Sequence, residues 1–157
     1  NVYELSNILP RAWFVDNIKK LSEDEIFKKI IDDSFDPSKY AYSSQVIKPP
    51  SDKVSLINKI DRKLHEINIQ TESEGNQFLV LSEVFYPKKW KASINGENIK
   101  TIKVNGILRG LSIPAGKNSI NFKYDKSQFN RGLFISLISF VITLFLVAFG
   151  YYKRKKW

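Results

Sequence analysis

Residues 78–96 read FLVLSEVFYPKKWKASING, and the fold class turns on them. Phe78 to Phe85 is apolar on both faces apart from Ser82 and Glu83, as in a central strand covered on two sides. Pro87 breaks the run. Trp90, Ala92 and Ile94 then alternate with polar residues into Asn95-Gly96, a strong two-residue hairpin signal.

Working outward, the same grammar repeats. Ile102-Lys103-Val104 and Ile107 to Ile113 read as two strands. Pro114-Ala115-Gly116-Lys117 turns the chain, and Ile120, Phe122 and Tyr124 alternate with Asn121 and Lys123. Upstream, His65, Ile67 and Ile69 alternate with Glu66, Asn68 and Gln70 on a half-buried strand, closed by a Glu74-Gly75-Asn76 turn. Arg11-Ala12-Trp13-Phe14-Val15 is a short strand behind Pro10. Ser22-Glu23-Asp24-Glu25 fits a capping box, and Ile26, Phe27, Ile30 and Ile31 follow at helical spacing, which predicts one helix from Glu23 to Asp32. Asp36-Pro37 marks a turn, and Lys48-Pro49-Pro50-Ser51-Asp52 a further break. Short strands bounded by turn chemistry predict an antiparallel β-sandwich.

Leu133 to Gly150, LFISLISFVITLFLVAFG, carries no charge and no proline. Eighteen helical residues span about 27 Å, close to the hydrocarbon thickness of a bilayer. A buried core helix would show a polar stripe, and only Ser136, Ser139 and Thr143 interrupt this one. Tyr151 and Tyr152 follow, then Lys153-Arg154-Lys155-Lys156. The positive-inside rule places that cluster in the cytoplasm and the sandwich outside it. The expected organisation is an extracytoplasmic β-sandwich over 1–130, a transmembrane helix over 131–152 and a basic cytoplasmic tail over 153–157, in a bacterial cytoplasmic membrane.

The chain has 157 residues, 25 Lys+Arg against 16 Asp+Glu, and a net charge of +9. Four of those charges form the tail, and the rest are spread without the stripe that a nucleic-acid backbone requires. With no Cys, a disulfide scaffold, a Cys-ligated zinc site and a thiol nucleophile are all excluded. With no Met and an opening Asn1-Val2-Tyr3, the chain is expected to be part of a larger or processed protein.

Few residues offer chemistry. The one histidine, His65, falls on the apolar side of its strand pattern and reads as a packed residue. No Gly-rich phosphate loop or metal-ligand spacing occurs, so neither a cofactor nor a metal is expected in this chain. Glu83 and Arg109 are charges inside apolar strands, costly unless compensated. They are therefore expected to lie close together, as a structural ion pair or around a polar ligand. Tyr86, Trp90 and Trp13 could form a sugar-stacking platform or simply fill core. Lys88, Lys89 and Lys91 cluster around Pro87, as a solvated turn or facing lipid phosphate.

Taken in order, Leu9-Pro10-Arg11-Ala12-Trp13-Phe14-Val15, Phe35-Asp36-Pro37, LSEVFYPKKWKASING at 81–96, VNGILRGLSIPAGKNSINFKY at 104–124 and the terminal helix resemble the C-terminal end of the YfhO family of bacterial polytopic membrane proteins. The resemblance covers nearly the whole chain. It implies similarity to GT-C-type membrane glycosyltransferases, which move sugars from polyprenyl-phosphate carriers to cell-envelope polymers such as lipoteichoic acid. In such enzymes the catalytic carboxylate lies in an early outer loop, so the resemblance transfers no catalytic residue to this chain. Glu83, Trp90, Asn105 and Arg109 match the family pattern. Lys89 stands where a permissive Gly is usual before the Trp, and Gly106 stands where an aromatic usually follows the Asn.

The ligand-binding candidates are Glu83, Tyr86, Trp90, Asn105 and Arg109. The implied partners are the bilayer, upstream transmembrane helices of the same parent chain, a lipid-linked sugar and an envelope glycopolymer, with no nucleic acid. The first functional reading is an accessory or substrate-shaping module of a glycosyltransferase. The alternative is a noncatalytic, membrane-anchored module that binds glycans or proteins.

Overall fold

The computed structural model describes residues 8–154. The chain divides into one unit ending at Tyr124 and a second beginning at Asp125. The first is mainly β. It runs β1 (Ala12–Phe14), β2 (Asn17–Lys20), α1 (Glu23–Ile30), β3 (Tyr40–Ser43), β4 (Ser55–Lys63), β5 (Glu66–Ser73), β6 (Gln77–Val84), β7 (Trp90–Ile94), β8 (Glu97–Ile99), β9 (Ile102–Val104), β10 (Leu108–Ile113) and β11 (Gly116–Tyr124).

Two antiparallel sheets face each other. One has strand order β1-β6-β10-β9 and the other β4-β5-β11-β7-β8. Alternation decides what lies between them. Ile120 sits opposite Ile69 and Ile94, and Phe122 opposite Ile67 and Ala92, so one face of the five-stranded sheet is continuously apolar. It packs on Ala12, Leu79, Leu81, Leu111 and Ile113 of the four-stranded sheet.

The opposite face of the four-stranded sheet is buried too. Trp13, Val15, Phe78, Val80 and Val104 form a second core with Ala41 of β3. This explains the unbroken apolar run at 78–81, since β6 is buried on both sides. Trp13 therefore belongs to core, and its indole Nε1 donates to the Pro37 carbonyl at 2.8 Å. It is not part of an aromatic platform with Tyr86 and Trp90.

Two local expectations change, and one strand pair is new. The new pair is β2–β3, which is parallel. Parallel neighbours need a crossover, and α1 supplies it. The α1 helix has the expected capping box, with reciprocal bonds between Ser22 and Glu25, but ends at Ile30 with Ile31 as its C-cap. His65 lies in the turn after β4 instead of on a strand face. Its carbonyl accepts the Tyr124 N–H at 2.9 Å and its ring rests 5.9 Å from that of Tyr124. The Asn95-Gly96 hairpin forms as read, with φ of 51° and 89°.

The second unit contains α2 (Ser127–Arg154). It has a window of mean hydropathy 2.6 with no residue buried in protein, and is long and apolar enough to cross a membrane. Two of its polar residues are satisfied internally. The Ser139 and Thr143 hydroxyls donate to the carbonyls of Ile135 and Ser139. The helix is longer at both ends than the apolar run. Lys153 and Arg154 form its last turn, while the rest of the basic tail, Lys155 and Lys156, lies outside the described residues.

Gly110 shows how tightly the second core closes. A Cβ there would fall 2.4 Å from Phe78 Cζ and 3.1 Å from Val104 Cγ1. Gly110→Ala is expected to destabilise the sandwich by about 1–3 kcal/mol, the usual cost of overpacking a filled core. Denaturant unfolding of the full chain in micelles, followed by tryptophan emission, measures it; an unchanged midpoint would refute this view of the core.

Candidate functional site: the groove beside Trp90

Arg109 is the largest fully buried side chain of the described residues, at 2% exposure. It lies on the inner face of β10, opposite Leu81. There the β6–β10 register shifts, with Leu108 opposite Val84 and Arg109 opposite Leu81, so β6 is locally bulged. Arg109 Nη2 donates to the freed Val84 carbonyl at 2.9 Å. Its guanidinium carbon lies 5.1 Å from the Trp90 ring centroid and 5.3 Å from that of Phe122. Two aromatic faces thus replace much of the lost hydration of a buried cation.

Burial pushes the Arg109 pKa below its ordinary value, and the Glu83 carboxylate draws it back up. The two charges are coupled through space, but Glu83 makes its ion pair with Arg62 of β4, at 3.2 Å. The direct Glu83–Arg109 ion pair that the sequence invited is not formed among the described residues. The stacked rings and the Val84 carbonyl hold the guanidinium instead. Arg109 Nη1 and Glu83 Oε1 are buried without a hydrogen-bond partner.

Trp90 opens β7. One face of its indole lies on Arg109, and its edge meets the Tyr124 ring at 5.6 Å and 75°. It also lines a groove of about 590 Å³ formed by Phe85, Pro87, Trp90, Lys91, Ala92, Asn98, Ile99, Lys100 and Thr101. Apolar and aromatic faces there adjoin two ammonium groups, an amide and a hydroxyl. That set suits an anionic polyol, because rings stack on the C–H faces of sugars while lysines meet phosphate or carboxylate. The lining has no carboxylate and no imidazole. Among the described residues, no group of three or more His, Cys, Asp or Glu side chains could hold a metal ion.

The remaining candidates do not line the groove. The Tyr86 ring is exposed and is not part of the groove lining. Its carbonyl accepts the N–H groups of Lys89 and Trp90, closing a right-handed turn. Lys89 is accordingly not among the positive-φ residues, so replacing the family's usual Gly brings no left-handed strain. Asn105 has φ of 46° and clamps the β9–β10 loop to β3. Its Oδ1 accepts the Tyr42 N–H, and its own N–H donates to the Tyr42 carbonyl, both at 2.8 Å. Gly106, with φ of 78°, leaves room for Phe27 of α1, which a Cβ would approach to 3.3 Å. Asn98, Lys100, Thr101 and Arg62 were not singled out from sequence, for they sit in no motif and only the β7–β8 hairpin brings the first three beside Trp90.

The Arg109–Trp90 contact is measurable. Arg109→Met keeps the volume but removes the cation and its carbonyl bond, and should cost about 1–3 kcal/mol. A cycle with Trp90→Ala should show coupling of about 1 kcal/mol between the two sites. Strictly additive effects would show that the stacking contributes nothing.

Residues 40–136, from the start of β3 into α2, match the model of a family described as bacterial membrane protein YfhO. No curated protein and no solved structure matches the chain. The match spans more than half of the sequence and includes Glu83, Trp90, Asn105 and Arg109 in their structural settings. The chain belongs to the YfhO family of bacterial membrane proteins.

Proposed function

We propose that this chain is the C-terminal, extracytoplasmic module of a polyprenyl-phosphate-sugar-dependent glycosyltransferase that modifies a cell-envelope polymer. Family membership and the membrane span support a place at the bilayer. The observation that carries the reading further is the groove that Trp90 lines together with Lys91 and Lys100. A sugar joined to phosphate presents those two surfaces, a C–H face and an anion.

In this reading the chain binds and orients, and the transfer takes place on residues of the parent enzyme. An acceptor hydroxyl attacks the anomeric carbon of the lipid-linked sugar, and its proton passes to a base. The bond from that carbon to the phosphate oxygen breaks, and the polyprenyl phosphate leaves. Trp90, held from beneath by Arg109, offers the stacking surface, and the two lysines hold the phosphate of donor or acceptor. Holding the reacting groups in register lowers the entropic part of the barrier. The module works with membrane helices that precede it in the parent protein and carry the catalytic carboxylate.

The groove lining, which has neither a carboxylate nor an imidazole, also favours the alternative of a membrane-anchored glycan-binding module without transfer. One experiment separates the two. Membranes containing the protein are given radiolabelled polyprenyl-phosphate sugar, and label reaching the envelope polymer is counted. Trp90→Ala, or Lys91→Glu with Lys100→Glu, should reduce transfer about tenfold, equivalent to 1.4 kcal/mol of lost binding. If membranes lacking the protein transfer sugar equally well, the transferase reading fails and glycan binding alone stands.

Orientation has its own test. The basic residues after α2 favour a cytoplasmic C-terminus. Trp157→Cys in intact cells should resist a membrane-impermeant maleimide until the cells are opened. Labelling from outside would invert the topology.

A further inference from the structure

Three connections of the β unit meet at one end. The Tyr124 N–H bonds to the carbonyl of His65, in the turn joining β4 to β5, and Tyr124 pairs with Trp90, where the β6–β7 loop ends. The Phe85 N–H bonds to the Ile107 carbonyl, which ties the β9–β10 loop to the same place. Each connection presents one large apolar side chain to the outside. Leu64 is 86% exposed, Ile107 59% and Tyr86 47%. Basic residues stand beside them, Lys63 next to Leu64, and Lys88 and Lys89 two and three residues after Tyr86. Lys63 is only loosely paired, 4.0 Å from Asp61.

The hairpin turns at the other end differ. Asn95 bonds to Ser119, and Ala115 to Asn76, which places the turns at 74–76, 95–96 and 114–116 together. The turns themselves carry Glu74-Gly75-Asn76, Asn95-Gly96 and Pro114-Ala115-Gly116, without a large apolar side chain, and one exposed apolar residue, Val54 at 62%, stands beside them through its carbonyl bond to the Glu74 N–H. Three exposed apolar side chains, two of them with lysines nearby in sequence, therefore gather on the connections at the Tyr124 end. Scattered exposed apolar residues are ordinary, but three loop tips converging at one end are not.

The same end is where β11 hands the chain to α2. Only Asp125 and Lys126 intervene, and a tether of that length reaches about 10 Å when extended. The helix that is long and apolar enough to cross a membrane thus follows Tyr124 in the chain by three residues. Lipid is the partner whose chemistry matches them. Leucine and isoleucine tips enter the head-group and acyl boundary, tyrosine favours the interface, and lysines meet anionic head groups.

We propose that the β-sandwich rests directly on the bilayer interface through Leu64, Tyr86 and Ile107, with Lys63, Lys88 and Lys89 against lipid phosphate. The span then acts as an anchor while these loops fix the tilt of the sandwich over the membrane. This holds whether or not the glycosyl-transfer reading is correct, because it rests on exposure and chain connectivity alone.

The chain contains no cysteine, so single probes are clean. Leu64→Cys, Tyr86→Cys, Ile107→Cys and, at the opposite end, Ala115→Cys are each labelled with an environment-sensitive fluorophore. The full chain is reconstituted in nanodiscs of zwitterionic lipid with a minority of anionic lipid, with or without lipid bearing a head-group nitroxide. Quenching several-fold stronger at positions 64, 86 and 107 than at 115 is expected. Equal quenching at all four positions overturns the proposal. So does protection of positions 64, 86 and 107 from both nitroxide lipid and aqueous quencher, which would mean that protein covers them. All four positions are exposed, so folding is preserved, and an unchanged unfolding midpoint verifies it.

Discussion

The structure depends on β6 being buried on both faces. Leu79 and Leu81 point into the core between the two sheets, while Phe78 and Val80 point into the second core under β3. A strand covered on both sides needs layers above and below it, and the rest of the chain supplies them. The five-stranded sheet covers one face, and the β2-α1-β3 crossover contributes to covering the other. At roughly 25 cal/mol per Å² of apolar surface removed from water, this is where most of the stabilisation of such a small unit resides. Gly110 belongs to the same constraint, because β10 can lie beside β6 only if Phe78 keeps the space that a side chain would take.

Where β6 stops being apolar, the chemistry begins. The register shift at Leu108/Arg109 frees the Val84 carbonyl and turns a cation inward beneath Trp90. A buried guanidinium is destabilising in isolation, and here it is compensated by two rings, one carbonyl and the field of Glu83. The consequence for function is mechanical. A tryptophan held on one face by a fixed cation and at its edge by Tyr124 has little rotational freedom, so its remaining surface is pre-organised for a ligand. Structural charge and candidate groove are thus parts of one arrangement.

The chain joins two solvents. Up to Tyr124 it buries apolar residues against its own strands, and from Ser127 it displays them on all sides of a helix. The second pattern is stable only where the surroundings are themselves apolar, which agrees with membership of a membrane protein family. The net charge of +9 acquires its meaning from this division. Much of the basic excess lies just after the span, and other lysines flank the Trp90 groove and the loops near Tyr124.

Local periodicity was enough to read most strands, the capping box at Ser22, the Asn95-Gly96 hairpin and the apolar helix, because each is specified by neighbours within a few residues. It also singled out Arg109, Glu83 and Trp90, since a charge in an apolar strand and a tryptophan at a strand start stand out locally. Which partners they take was not legible. The Glu83 carboxylate pairs with Arg62, 21 residues earlier in the chain, Trp13 enters core instead of a platform, and His65 falls in a turn because the β4–β5 pairing closes at Lys63 and Glu66. The parallel β2–β3 pair and the joining of Lys91 to Lys100 in one groove are likewise set by pairing across the chain. The sequence by itself determined the elements and the membrane span, since those follow from short-range spacing. Only the tertiary structure decided which side chains meet, since that depends on register between distant strands, where a shift of one or two residues changes every contact.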